Sequence, residues 1–179
     1  MKKTIMILFS VLLFGCSLTN TPTSSVQRYL NNYISLSDDV LMDLETTISS
    51  EDLSNNNREI YKNVLLKQYK DMKYEIKDES IKDNKAEVLV KITVYDLFMT
   101  EVESSNYLNN HPDEFNDVNL EFDKDLFNTY RINQMLKTNN RVDYEILFKL
   151  NKVDGEWIIL ELDRDDLEKL HGLYNYKNN

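Results

Sequence analysis

Between Ala86 and Tyr95 the side chains alternate: Ala86, Val88, Val90, Ile92 and Val94 are apolar, and Glu87, Leu89, Lys91, Thr93 and Tyr95 stand between them. A repeat of two marks a strand with one buried face, because successive side chains of an extended chain point to opposite sides. Val142, Tyr144, Ile146, Phe148 and Leu150 repeat the pattern. Each of these strands has a turn beside it. Asp83-Asn84 joins the first to an extended stretch begun by Tyr74 and Ile76, and Asp154-Gly155 leads from the second into Trp157 to Leu162. Asp-Gly is a strong hairpin signal, since a type I′ turn needs positive φ at both central positions. The sequence therefore predicts two hairpins, separated by a crossover from Thr100 to Asn140.

Ahead of the strands the period is that of a helix. Val26, Tyr29, Leu30, Tyr33 and Ile34 recur at spacings of three and four, which places them on one helical face. Ser37 reads as an N-cap before Asp38 and Asp39, with Leu36 and Leu41 as a hydrophobic staple and Val40, Leu41, Leu44 and Ile48 inward. A third helix runs from about Asn57 to Asp71, with Ile60, Tyr61, Val64, Leu65 and Tyr69 as its stripe. A structureless crossover of such length is unusual, so a helix is expected from Asp123 to Lys137, and a short helix from Asp165 to Leu170 closes the chain.

Helices first, then a meander of strands with one apolar face each, imply an α+β fold: N-terminal helices packed on one face of a curved antiparallel sheet, with a helical crossover between two hairpins. The order of elements, the strand end Tyr95-Asp96, and Val153-Asp154-Gly155-Glu156-Trp157-Ile158 in the last hairpin resemble the nuclear transport factor 2-like superfamily, in particular its bacterial lipoproteins. The resemblance implies a cone in which a curved sheet wraps around helices. It implies no single activity, since such domains include small-molecule isomerases and non-catalytic binding modules.

The N-terminus has a different character from the rest of the chain. Met1-Lys2-Lys3 is followed by an apolar stretch, Ile5 to Phe14, broken only by Ser10. A membrane-spanning helix needs about 20 apolar residues, so this is the length of a signal peptide core. Leu13-Phe14-Gly15-Cys16 resembles the bacterial lipobox, which implies cleavage before Cys16 and diacylglycerol on its sulfur. An ordinary signal peptide with a chance cysteine fits less well, because Leu13 occupies a position where such peptides favour small residues. The expected organisation is a signal peptide at 1–15, a lipidated cysteine and flexible Ser/Thr/Pro tether at 16–25, and a single domain at 26–179. The cell membrane, on its extracytoplasmic face, is the expected location.

Cys16 is the sole cysteine, so the domain has no disulfide or thiolate chemistry. Loss of Lys2 and Lys3 with the signal peptide takes the formal charge from −10 to −12. That charge repels phosphate backbones and anionic lipid surfaces, which argues against nucleic acid as a partner. No glycine-rich phosphate loop or serine elbow is present, and no cofactor is expected. His111-Pro112-Asp113-Glu114 contains metal-ligand types but no second histidine at helical spacing, so it reads as a helix stop and restart. Asp163, Asp165 and Asp166 lack the glycine and distal glutamate of a calcium loop and read as a helix start.

Two sets of site residues remain. Asp96, at the end of a long strand, is a candidate base at the mouth of a cone, with Tyr95 or Tyr144 as oxyanion donors; against this stands an aspartate that merely caps the crossover. On the outer sheet face, Leu89, Leu147 and Tyr95 interrupt a charged surface. If they cluster they offer a docking patch for a partner protein or a second copy of the chain. The expected function is thus a lipid-anchored interaction module for a protein or cell-envelope partner. The other class is a small-ligand binder or isomerase that uses the interior of the cone.

Overall fold

The computed structural model describes residues 20–177. Cys16, the apolar run before it and the first part of the expected tether lie outside the described residues.

The chain enters helix α1 (Pro22–Ser35) earlier than its composition suggests. Thr21 and Ser24 form a reciprocal cap: the Thr21 hydroxyl accepts from the Ser24 N–H at 3.1 Å, and the Ser24 hydroxyl accepts from the Thr21 N–H at 3.0 Å. Pro22 at the first helical position costs nothing, because its missing N–H would have been unpaired there. Residues 20–25 therefore belong to the domain, and the expected tether is corrected to end before them. The same Ser, Thr and Pro residues that suit a linker also suit a helix start, and Pro22 and Ser25 are buried.

Helix α1 stops at Leu36, which takes a left-handed φ of 55° while the N–H of Ser37 donates back to the Asn32 carbonyl at 3.0 Å. Helix α2 (Asp38–Ser50) starts where the acidic pair predicts, but the buried Ser37 hydroxyl makes no cap bond. Helix α3 (Asn55–Lys70) is capped by Ser54.

Four strands follow in the order β1-β2-β3-β4, all antiparallel: β1 (Lys73–Lys82), β2 (Lys85–Tyr95), β3 (Arg141–Val153) and β4 (Glu156–Ile159). The register opposes Val88 to Phe148, Val90 to Ile146 and Ile92 to Tyr144, so both apolar sets share the inner face. Asp154 and Gly155 have φ of 51° and 87°, as a type I′ turn requires. A bulge after Ile76 shifts β1, and its outer half is exposed and charged, which protects an edge strand from pairing with another chain.

The crossover is helical in both halves, α4 (Leu97–Asn110) and α5 (Lys124–Lys137), with a single 3₁₀ turn at Pro112–Phe115. Helix α6 (Arg164–His171) ends the fold. The whole is an α+β domain with a curved, open four-stranded sheet. Two apolar clusters hold it. Val26 and Leu30 of α1 and Leu170 of α6 pack on the inner sheet face around Val88, Val90, Ile92 and Phe148, all fully buried. The second cluster joins Val40, Leu44 and Ile48 of α2 to Val64 and Leu65 of α3 and Ile132 of α5. Burial of each such side chain contributes about 1.5–3 kcal/mol. Of the N-terminal helices, α1 lies along the sheet, while α2 and α3 combine with the crossover. Among the described residues no helix is long and apolar enough to cross a membrane.

Candidate functional site

Asp96 closes β2 and is buried. One carboxylate oxygen accepts the Met99 N–H at 2.9 Å, capping α4, and the other accepts the Tyr176 hydroxyl at 2.9 Å. Tyr144 is close by: its ring meets those of Tyr174 edge-on at 5.7 Å and Tyr176 at 6.3 Å, and its hydroxyl donates to the Tyr174 carbonyl at 3.4 Å. Burial, with the charge of Asp96 adding, raises the Tyr144 phenol far above its ordinary range. The Tyr176 phenol is pushed up to about 12 by burial and then by its bond to Asp96. The structure thus brings Asp96 and Tyr144 to one place but lays the C-terminal segment across them. Asp96 acts as the cap of the crossover, and a substrate would reach it only after Tyr176 had left.

Tyr95 does not join this group. Its hydroxyl donates to Asp71 at 2.7 Å, and its ring lies between the Lys67 ammonium, 4.3 Å from the centroid, and the Arg141 guanidinium, 4.1 Å away. It is also buried, which corrects its expected place on the exposed face. Alternation gave it the outward phase, but at the strand end α3 and Arg141 close over it. Behind it is a residue that the sequence reading missed. Gln68, fully buried on α3, accepts the Tyr95 N–H at 2.9 Å and sends its amide towards the Tyr95 and Leu170 carbonyls at 3.4 and 3.5 Å. It ties α3, β2 and α6 together.

On the outer face Leu89 stands directly opposite Leu147, so these two do cluster. Leu147 is 40% exposed and Leu89 is half-buried. Around them the face is charged: Lys91 pairs with Asp143 at 2.7 Å, and Thr93 donates to the same carboxylate at 2.6 Å. Without Tyr95 the expected cluster is reduced to these two leucines, and exposed Ile158, opposite Asn151 on β4, is a further apolar residue of the same face.

A more prominent apolar feature lies in the α4–α5 connection. Val118 is 98% exposed, Leu120 82% and Phe122 55%. The segment that presents them is braced. Asn116 bridges to Phe122, the Asp117 N–H donates to the Glu121 carbonyl at 2.7 Å, and the Asp117 carboxylate accepts the N–H groups of Asn119 and Glu121 at 2.8 and 3.0 Å. These bonds hold the Asp117 pKa below the usual carboxylate range. Leu120 takes a left-handed φ of 65°, a conformation that costs a leucine about 1–2 kcal/mol and for which its exposed side chain gains no packing. The aromatic base under the tip is Phe115, Phe122 and Phe127, with Phe115 edge-on to Phe127 at 5.4 Å. Alternating Val118-Asn119-Leu120-Glu121-Phe122 between acidic residues was the available signal in the sequence, but only the backbone reveals the projection.

His111 closes α4: its ring stacks on Tyr107 at 4.2 Å and a ring nitrogen lies 3.1 Å from the Tyr107 carbonyl. Asp163 caps α6 through the Asp166 N–H. Among the described residues no three His, Cys, Asp or Glu side chains gather as metal ligands.

Fold and surface together define the class as an α+β domain whose open sheet is covered on one face by helices and whose helical crossover carries an exposed apolar tip. Comparison with family models, curated proteins and solved structures gives no match.

Proposed function

We propose that the chain is a lipid-anchored extracytoplasmic interaction module, tethered through Cys16, that docks a protein or cell-envelope partner without catalysis. The observation that carries the reading is the braced and exposed apolar tip, where Val118 and Leu120 add no packing to the core while the backbone at Leu120 is strained, which suits an external contact. The anchor rests on the apolar run that ends at Cys16. Helix α1 is already capped at Thr21, and an extended chain rises at most about 3.6 Å per residue, so the domain would ride close to the bilayer. The Asn20 side chain donates to the Gly155 carbonyl at 2.8 Å, so an anchor at Cys16 would put the Asp154–Gly155 turn on the side nearer the bilayer. The crossover springs from the other end of β2, at Asp96. A nuclear transport factor 2-like identity belongs to the same proposal and is supported by the order of three helices, hairpin, crossover and hairpin.

The test places a photoreactive benzoylphenylalanine at Val118, and separately at exposed Met42, in the full-length chain in cells. Irradiation should give a discrete adduct from position 118 only, weakened at least fivefold by Leu120→Gly. Equal adducts from both positions would sink the docking role. In parallel, Cys16→Ala should move the domain out of the membrane fraction; retention at mature size in carbonate-washed membranes would sink the anchor.

A further inference from the structure

Helix α1, helix α2 and the β4–α6 connection leave between them a cleft of about 370 Å³. Tyr29 and Tyr33 line it from α1, Asp43 from α2 and Glu161 from the connection. The rest of its lining is aliphatic, and Ile159, Leu162 and Leu167 also pack on the sheet cluster. A half-open cleft of this volume and mixed lining suits a small ligand rather than a drug-sized one.

Three properties select the ligand. The rings are fixed in advance: Tyr29 meets Phe148 edge-on at 5.8 Å, Tyr33 meets Tyr69 at 5.0 Å and 89°, and the two hydroxyls are 3.4 Å apart. A ligand that uses them need not order them. The charge is one-sided. Neither the Asp43 nor the Glu161 carboxylate has an ion-pair or hydrogen-bond partner among the described residues, and no lysine, arginine or histidine lines the cleft. Finally, the phenols stay neutral, because burial raises both Tyr29 and Tyr33 above the ordinary range and the charge of Asp43 adds to this. Negative charge therefore sits at two carboxylates beside neutral aromatic rings and an aliphatic lining. Aromatic rings attract cations through their quadrupole, and the carboxylates attract them by charge; an anion meets repulsion from both.

We propose that this cleft binds an organic cation, an ammonium group carried on a short apolar body, with Asp43 and Glu161 neutralising the charge, Tyr29 and Tyr33 contacting the ammonium and the aliphatic lining receiving the body. The site is separate from the apolar tip of the crossover and independent of Cys16, so it stands or falls apart from the docking role.

The experiment is calorimetric titration of the full-length chain with three soluble probes that share one body and differ in charge: phenethylamine, 2-phenylethanol and phenylacetate. The amine should bind at least tenfold more tightly than the alcohol, and phenylacetate more weakly than either. Asp43→Asn and Glu161→Gln, both at exposed positions, should each weaken the amine at least threefold and leave the alcohol unchanged. The N,N,N-trimethyl derivative of the amine separates the two cation types: tighter binding than the primary amine assigns the recognition chiefly to the rings, weaker binding to hydrogen bonds with the carboxylates. Equal affinity for amine and alcohol, no binding of the amine at 10 mM, or unchanged amine affinity in both variants with melting temperatures intact would overturn the proposal.

Discussion

Gly172→Ala puts a methyl group where the end of α6 lies against β2 and α3. Gly172 ends α6 at a φ of 73°, with its N–H bonded to the Lys169 carbonyl at 3.0 Å and the Leu173 N–H bonded to the Glu168 carbonyl at 2.9 Å. A Cβ there would lie 2.2 Å from the Tyr95 carbonyl oxygen and 2.4 Å from the Gln68 side-chain nitrogen, whereas ordinary contact begins at 3.4 Å. The left-handed backbone alone costs about 1–2 kcal/mol. The Tyr95 carbonyl cannot simply retreat, because the N–H of the same residue is held by the Gln68 oxygen at 2.9 Å. Displacement of the buried Gln68 amide leaves polar groups unsatisfied, at about 1–3 kcal/mol. The sum is about 2–5 kcal/mol, and at about 2–4 °C per kcal/mol for a domain of this size the melting temperature should fall by roughly 10 °C. Gly155→Ala is the control. Its φ is 87°, but no atom of the described residues lies within 4 Å of the new Cβ, so only the backbone part applies, about 1–2 kcal/mol. Thermal unfolding of both variants by circular dichroism decides the matter. If Gly172→Ala melts no lower than Gly155→Ala, the close approach of β2 and α3 to the end of α6 is not a constraint and the reasoning fails.

Three other perturbations have defined outcomes. Leu120→Gly relieves a left-handed leucine whose side chain is 82% exposed, so relief of about 1–2 kcal/mol is partly offset by about 0.5–1 kcal/mol of glycine chain entropy and the melting temperature should hold or rise by up to about 6 °C; a clear fall would mean that Leu120 packs on the domain. Leu147→Glu, at a position 40% exposed, should cost less than about 1 kcal/mol in urea unfolding, whereas half-buried Leu89→Glu should cost more; a larger loss at Leu147 would place it in a core. Burial depresses the pKa of His171 below its ordinary 6.5, against a weaker pull from Glu168. The unfolded chain then binds the proton more readily, so stability should decline as pH falls below about 6.5, and His171→Gln should flatten the dependence of melting temperature on pH between about pH 7 and 5.5; parallel curves would count against a half-buried imidazole held neutral.

The fold was legible where a local period sufficed. Ala86 to Val94 and Val142 to Leu150 alternate because each strand buries one face against α1 and α6, and that requirement acts residue by residue. The start of α1 was hidden because Thr21, Pro22 and Ser24 serve equally in a flexible linker and in a helix cap; what separates the two is the burial of Pro22 and Ser25. Helix α4 was hidden because its apolar residues do not fall on one helical face and its buried positions include Thr100 and Ser104, whose hydroxyls bond back to the Asp96 and Thr100 carbonyls. Polar residues of this sort look like loop in a sequence and behave as helix once another helix covers them.

The candidate sites were less legible because each depends on chain segments far apart. That Leu89 and Leu147 meet follows from the β2–β3 register, which no spacing within either strand fixes. Tyr95 has the phase of an exposed residue and is buried by Lys67, Asp71 and Arg141, which come from other elements. Tyr29 and Tyr33 show the sharpest form of the problem. Their spacing on α1 is the same whether they enter a core or line a cleft, and the helical period alone predicts a core position. What decides is the opposing wall. Strand β4 is only 4 residues long against 13 in β3, so beyond Ile159 the chain leaves the sheet, with the Leu160 N–H still bonded to the Lys149 carbonyl at 2.8 Å, and passes through Glu161 to the cap of α6. A β4 that continued along β3 would carry this connection away from α1. Its early end instead sets Glu161 and Leu162 opposite Tyr29 and Tyr33 and leaves the rings half-buried. The cleft is thus a consequence of a strand length, which is set more than 120 residues along the chain from the tyrosines that give it its chemistry.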